Sequence, residues 1–377
     1  MKNIFEKTRP YIDAEIPAAV RRVADNPAFS QIIAYLFPSV DFEDYKKQFL
    51  QIQTVEQFQK QVMQKAIHSI VNMTSDGLST QGFEKLSNNK KGMFIGNHRD
   101  ILLDAAILQI VLFQFDLDTS EITFGSNLMK GEIVIDIGKM NKMFRIVRGG
   151  NIRDFYKNSI EVSSYMRYAI TQKKQSVWIA QRNGRTKDGN DKTEMAVLKM
   201  FAISSEKPFV DNLAELNITP LVISYEYEPC DFLKTQELFV TKYQKYEKAP
   251  GEDLNSILQG IRQPKGHIHL VAADSITNEE LLFCDQLGKN NKYQKLAQII
   301  DNRVYANYQL WKTNYIAHDL WAKSYKYHDF YSESEKSAFI EYMDNGLHSL
   351  IGDYDELRDI FLLIYAQPVI NKENIYL

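Results

Sequence analysis

The stretch Met93-Phe94-Ile95-Gly96-Asn97-His98-Arg99-Asp100-Ile101-Leu102-Leu103-Asp104 decides the fold. Its first three residues are continuously apolar, the pattern of a short buried strand. Gly96-Asn97-His98-Arg99-Asp100 is polar and bears a glycine, so the chain leaves the strand there. From Ile101 to Phe113 the sequence turns apolar again, broken by Asp104 and Gln109, and reads as a helix. A strand, a polar loop and an apolar helix in succession predict an α/β arrangement with chemistry in the loop beyond the strand end.

The same texture recurs downstream. Ile122-Thr123-Phe124 is a second strand candidate, ending in Gly125-Ser126-Asn127. Phe155 to Thr171 carries Ile160, Val162, Tyr165, Met166 and Ile170 at helical spacing. Ser176-Val177-Trp178-Ile179-Ala180 is another strand, running into a polar loop that lasts to about Asp191. Lys192 to Ser204 reads as helix, and Thr219 to Tyr225 and His267 to Ala272 read as strands. The expected fold class is α/β: a central mixed sheet with packed helices, flanked by N- and C-terminal helical segments. The corresponding divisions are 1–90, 91–280 and 281–377.

The flanks show no chemistry of their own. In Ile16 to Phe37, Pro27 divides two short helical segments and Pro38 ends the second. Thr54 with Gln57 resembles a capping box, opening a helix with Val55, Phe58, Val62, Ile67 and Ile70 on one side. Toward the C-terminus, Lys292 to Leu320 is rich in aromatic residues (Tyr305, Tyr308, Trp311, Tyr315), which read as core. Two further helices are expected over Ser334 to Leu350 and Tyr354 to Tyr365, with Gly352 between them and Pro368 after.

Composition narrows the function classes. At 377 residues, 44% hydrophobic and 25% charged, the chain is an ordinary globular one. Two cysteines, Cys230 and Cys284, make no disulfide framework, so a reducing compartment, the cytoplasm, is expected. A net charge of -3 argues against nucleic-acid binding. No apolar run approaches the roughly 20 residues of a membrane span, and the charged Met1 to Pro17 is not expected to be an export signal. Neither a phosphate loop nor a dinucleotide fingerprint is present, and no Gly-x-Ser-x-Gly elbow occurs. His267 and His269 share one face of a strand, a spacing open to metal binding, but no ligand cluster adjoins them in sequence and a structural strand is the expectation.

Within the deciding stretch, His98 and a following aspartate form the candidate machinery. A carboxylate that holds one imidazole nitrogen as a donor leaves the other free as a general base. The plain alternative is a histidine capping a helix beside a solvated aspartate. This stretch resembles the glycerolipid acyltransferases, whose signature is Asn-His, four residues and Asp after a strand. Here the step from His98 to Asp104 is one residue longer than in the family. Either Asp104 is the partner with one residue inserted, or Asp100 has taken the role; Ala105-Ala106-Ile107-Leu108, following Asp104 as an apolar helix, favours Asp104.

Three further stretches resemble the family in order. Phe144-Arg145-Ile146-Val147-Arg148-Gly149-Gly150 is similar to its second block, which implies that Arg148 contacts the acceptor phosphate. Trp178-Ile179-Ala180-Gln181-Arg182-Asn183-Gly184-Arg185-Thr186-Lys187 is similar to the third. The family glutamate is replaced there by Asn183 or Arg182, while Gly184, Arg185 and Thr186 match and Lys187 adds a cation; a basic loop at a strand end also suits an anion without any family likeness. Ile218 to Tyr225 is similar to the fourth block, a strand with an early proline.

The resemblance implies a transferase that moves a fatty acyl group from acyl-CoA or acyl carrier protein to a hydroxyl of glycerol-3-phosphate or 1-acylglycerol-3-phosphate, in phospholipid biosynthesis. His98 would be the base and Asp104 its partner, with Arg148, Asn183, Gly184, Arg185, Thr186 and Lys187 binding substrate. No metal or cofactor is called for, because a thioester is already activated. A long-chain acceptor implies peripheral contact with the inner face of the cell membrane. An acylated amino acid as acceptor, or a catalytically silent lipid or acyl-carrier binding protein, are the alternatives.

Overall fold

The computed structural model describes residues 5–126, 128, 131–146 and 152–376. Seven strands form one mixed sheet: β1 (Gly77–Gln81), β2 (Met93–Gly96), β3 (Glu121–Gly125), β4 (Met143–Ile146), β5 (Val177–Ala180), β6 (Thr219–Tyr225) and β7 (His267–Ala272). Their order is β1-β7-β6-β2-β5-β3-β4. Neighbours are parallel throughout except β6 and β7, which pair antiparallel. The carboxyl ends of β2, β3, β5 and β6 therefore lie along one edge of the sheet, and the chain enters β1 and β7 at that same edge.

Alternation along the strands feeds two cores. Met93 and Ile95 of β2, with Val177 and Ile179 of β5, face a core shared with the helices Ile152–Thr171, Met195–Ala202 and Asn291–Asn307. Phe94, Trp178, Ala180, Leu221 and Ile223 face the other, packed under the helices Gln64–Thr74 and Leu103–Gln114. The latter helix is buried without interruption from Leu103 to Leu112, so its apolar composition is that of a helix covered on every side. The fold is α/β with helices on both sheet faces. Separate clusters form among the N-terminal helices and among the C-terminal ones.

Five of the seven strands lie where the sequence places them; β1 and β4 do not announce themselves. The first ninety residues are thus not wholly helical. β1, Gly-Leu-Ser-Thr-Gln, is a half-exposed edge strand with a single large apolar side chain, and the hydrogen bonds to β7 make it a strand. β4 is four residues long and follows Lys142, whose φ of +58° ends the preceding turn. At Thr54 the hydroxyl accepts the Gln57 N–H as a cap, but the Gln57 side chain accepts from Gln53 rather than Thr54. That helix continues through a π-helical stretch, Gln59–Met63, to Thr74.

Pro368 does not follow the last long helix but lies inside it, in Tyr354–Glu373. A proline cannot donate to the carbonyl four residues earlier, here Ile364. Gly189 packs against that carbonyl so closely that a Cβ there would stand 2.2 Å from the oxygen. The helix runs past its proline under tertiary packing that local sequence does not report.

Candidate active site

The site is built at the carboxyl ends of β2, β3, β5 and β6. Asn97 continues β2 with its side chain in place of a backbone: Nδ2 donates to the Ile223 carbonyl and to Asp191, while Oδ1 accepts the Ile223 N–H at 2.8 Å. An amide side chain offers the same donor and acceptor as a peptide group, so it extends the ladder to β6 as the chain turns away. Thr186 then donates its backbone N–H to the His98 carbonyl, joining the loops after β2 and β5.

His98 and Asp104 face each other. Nδ1 of His98 lies 2.9 Å from Asp104 Oδ2, which also accepts the backbone N–H groups of Arg99 at 2.6 Å and Asp100 at 2.9 Å. Asp104 Oδ1 accepts the Tyr225 hydroxyl at 2.9 Å. A carboxylate can only accept in such a setting, so Nδ1 is the donor of the pair, and the neutral form of the ring carries its lone pair on Nε2. The His98 side chain keeps 12% of its surface open and Asp104 keeps 2%. Asp100 does not pair with His98; its Oδ1 accepts the N–H groups of Leu102 and Leu103 and caps the start of the apolar helix. Burial, and then the charge of Asp104, push the Asp100 carboxyl above its ordinary pKa.

Arg99 turns the opposite way into the protein. It is 1% exposed and binds Asp191 at 2.7 Å and Glu228 at 3.0 Å, with its guanidinium 5.1 Å from the Tyr308 ring centre. Burial works against its charge, but Asp191 and Glu228 outweigh it and hold the pKa well above the usual arginine value. Lys234 completes the network, reaching Glu228 and the Arg99 carbonyl. Buried charges survive when each is paired and hydrogen-bonded, and these are. With both its side chain and its carbonyl held, Arg99 fixes the backbone on which His98 stands.

The remaining sequence candidates separate. Gly184 and Arg185 line a small cavity together with His98, Trp178 and Phe124. The His98 ring meets Trp178 edge-on at 5.7 Å. Arg185 is 9% exposed, and its buried Nη1 has no hydrogen-bond partner among the described residues. Thr186 is buried and anchors the loop rather than lining this cavity. Lys187 pairs with Glu237 and lines a neighbouring groove. Asn183 is exposed and lines a second cavity, not the one containing His98. Arg148 lies outside the described residues.

The second cavity, of about 440 Å³, is largely apolar and is walled by Val162, Ile179, Val197 and Met200. It opens on the other face of the sheet, and Thr123 and Ala180 border both cavities.

No protein-family model and no curated protein matches the sequence. Among solved structures the chain is similar to a lipid acyltransferase. That structure is the 1-acyl-sn-glycerophosphate (LPA) acyltransferase PlsC from Thermotoga maritima, at 12% identity and a TM-score of 0.37, over 77% of this chain and 91% of PlsC. The likeness to PlsC is a distant one of fold.

Several residues of the site had no sequence signal. Tyr225 reads as one more strand residue, and Asp191 as one more polar loop residue, until the sheet brings them to Asp104 and Arg99. Lys248 and Asp253, paired at 2.5 Å, line the His98 cavity from a segment far along the chain. At the same sheet edge, Asp76, Glu226 and His267 bring one ligand atom each within 4.8 Å of one another, the one such group among the described residues. Glu226 is already engaged there, accepting from the His267 backbone N–H at 3.0 Å and meeting Nδ1 at 2.7 Å. His269 meets the Ser79 hydroxyl at 2.7 Å. Among the described residues, no helix is long and apolar enough to cross a membrane.

Proposed function

We propose that the protein is an acyltransferase that moves a fatty acyl group from acyl-CoA or acyl carrier protein to a hydroxyl of glycerol-3-phosphate or 1-acylglycerol-3-phosphate. The observation that carries this reading is the His98–Asp104 pair at the wall of a cavity that Arg185 also lines. His98 Nε2 takes the proton of the acceptor hydroxyl, and the oxygen attacks the thioester carbonyl. The tetrahedral intermediate collapses with cleavage of the carbon–sulfur bond, and the imidazolium returns its proton to the departing thiolate. Asp104 stabilises the imidazolium between the two transfers. Arg185 grips the anionic end of the acceptor and so places its hydroxyl, a task suited to a planar guanidinium. The apolar cavity bordered by Thr123 and Ala180 offers room for part of an acyl chain. Substrates of this kind bring the protein to a membrane surface from the cytoplasmic side.

Arg185 would bind a carboxylate as readily as a phosphate, so the test includes both. Purified protein is incubated with labelled acyl-CoA or acyl carrier protein and with glycerol-3-phosphate, 1-acylglycerol-3-phosphate or an acylated amino acid. An ester product on a phosphate-bearing acceptor is the expected result. A product on the amino-acid lipid alone reassigns the acceptor, and no product with any pair of substrates overturns the reading.

A further inference from the structure

Tyr225 ends β6 with its side chain buried, 1% exposed, against the base pair. Its hydroxyl donates to Asp104 Oδ1 at 2.9 Å, and among the described residues it is the one donor to that oxygen. Oδ2 is taken by His98 and by two backbone N–H groups of the same loop. Among the described residues Tyr225 is therefore the one side chain besides His98 that binds this carboxylate. Burial, then the charges of Asp104 and Asp100, raise its phenol well above the ordinary tyrosine pKa, so it remains a donor.

A carboxylate that accepts an O–H on one oxygen holds less charge for the donor on the other. The weakened acceptor stabilises an imidazolium less. We propose that Tyr225 is a positioning residue of the His98–Asp104 pair: its hydrogen bond to Oδ1 fixes the plane of the carboxylate and draws charge away from the Oδ2 that faces His98 Nδ1. This inference rests on the base role proposed for His98.

Other charged groups face the pair from several elements. Asp100 lies on the same loop, Arg185 on the loop after β5, and Lys248 and Asp253 line the cavity wall. Glu228 acts on Tyr225, and Asp104 on Tyr308, at longer range. Removing the single Tyr225 hydroxyl leaves all of these charges present.

The test is a pH titration of the His98 ring by NMR in histidine-labelled protein, which needs no turnover. Three proteins are compared: wild type, Tyr225→Phe, and a protein with 3,5-difluorotyrosine at this one position, whose more acidic phenol donates more strongly. The expected midpoint rises by about 0.5–1 pH unit in Tyr225→Phe and falls in the fluorinated protein. The acid limb of the activity profile moves with it. Midpoints within about 0.2 unit of wild type, or shifts of the opposite sign, overturn the inference. If Tyr225→Phe does not fold, the fluorinated protein, which keeps the ring and hydroxyl, decides alone. Shifted midpoints in a protein that transfers no acyl group support this inference and overturn the proposed function; unshifted midpoints in an active enzyme do the reverse.

Discussion

Asp104 holds His98 across six residues of chain, its Oδ2 2.9 Å from the ring Nδ1. The same oxygen accepts the Arg99 and Asp100 N–H groups, so the loop wraps around the carboxylate. The chain turns at Ile101 and Leu102 before the helix begins at Leu103, which brings Asp104 back to face the ring.

This geometry predicts the cost of breaking the pair. His98→Ala should lower acyl transfer by about 10²–10⁴-fold, the range for loss of a positioned base. Asp104→Asn should lower kcat while leaving the KM for the acceptor close to wild type. Thiol release from the acyl donor reads both; an activity within a few-fold of wild type in His98→Ala would remove the residue from the reaction.

Arg185 should act on binding. A hydrogen bond to a charged group contributes about 1.5–3 kcal/mol, so Arg185→Ala should raise the KM for a phosphate-bearing acceptor roughly 10- to 100-fold. Arg185→Lys should recover part of the loss, since it restores charge without the planar fork. An unchanged acceptor KM in the alanine variant would show that the anion binds elsewhere.

Gly260, within the helix Glu252–Arg262, sets two effects against each other. Alanine gains about 1 kcal/mol of helix propensity. Its Cβ, however, would stand 2.0 Å from the buried Oδ2 of Asp100. Displacing that carboxylate costs about 1–3 kcal/mol in overpacking and weakens the cap at Leu102 and Leu103. Net destabilisation is expected, read as a lower midpoint of denaturant unfolding; a stabilised Gly260→Ala protein would contradict the contact.

Asp231 gives a pH signature. Burial pushes its carboxyl from 3.8 up to about 6, against hydrogen bonds from Tyr365, Tyr342, the Phe232 N–H and Gln263 that favour the charged form. A folded pKa above the unfolded one means that this group's contribution to stability is complete below about pH 4 and is lost as pH rises through about 6. The shift of about 2 units corresponds to roughly 3 kcal/mol. Asp231→Asn should lack this component, so the stability difference between wild type and variant should shrink from pH 4 to pH 7. A constant difference across that range would show that Asp231 does not titrate there.

What was legible in the sequence follows from how local each cause is. The strands β2, β5 and β6 are runs of apolar residues that need burial wherever they go, and they read correctly. β1 is a strand because β7 lies beside it, and Pro368 lies within a helix whose Ile364 carbonyl meets Gly189 from a distant loop; neither contact lies within the local window. His98 and Asp104 stood out through their order after a strand, while Tyr225, Asp191 and Lys248 are far away in sequence and become neighbours from a strand, a loop and an inter-helix segment. Asn183 and Arg182, the two residues offered for the place of the family glutamate, both line the second cavity, just before Gly184, whose φ is +80°.

The ion network around Arg99 ties distant parts of the chain to one loop. The Tyr308 ring lies 5.1 Å from its guanidinium, just beyond one C-terminal helix. From another, Tyr365 accepts the Glu228 N–H and donates to Asp231. The final seventy residues are consequently no detachable appendage: trimming them would take the Tyr308 ring from the arginine and the Tyr365 hydroxyl from Glu228 and Asp231, and would open to water the ledge from which the imidazole projects. Any engineering of this molecule should treat its tail as a keystone.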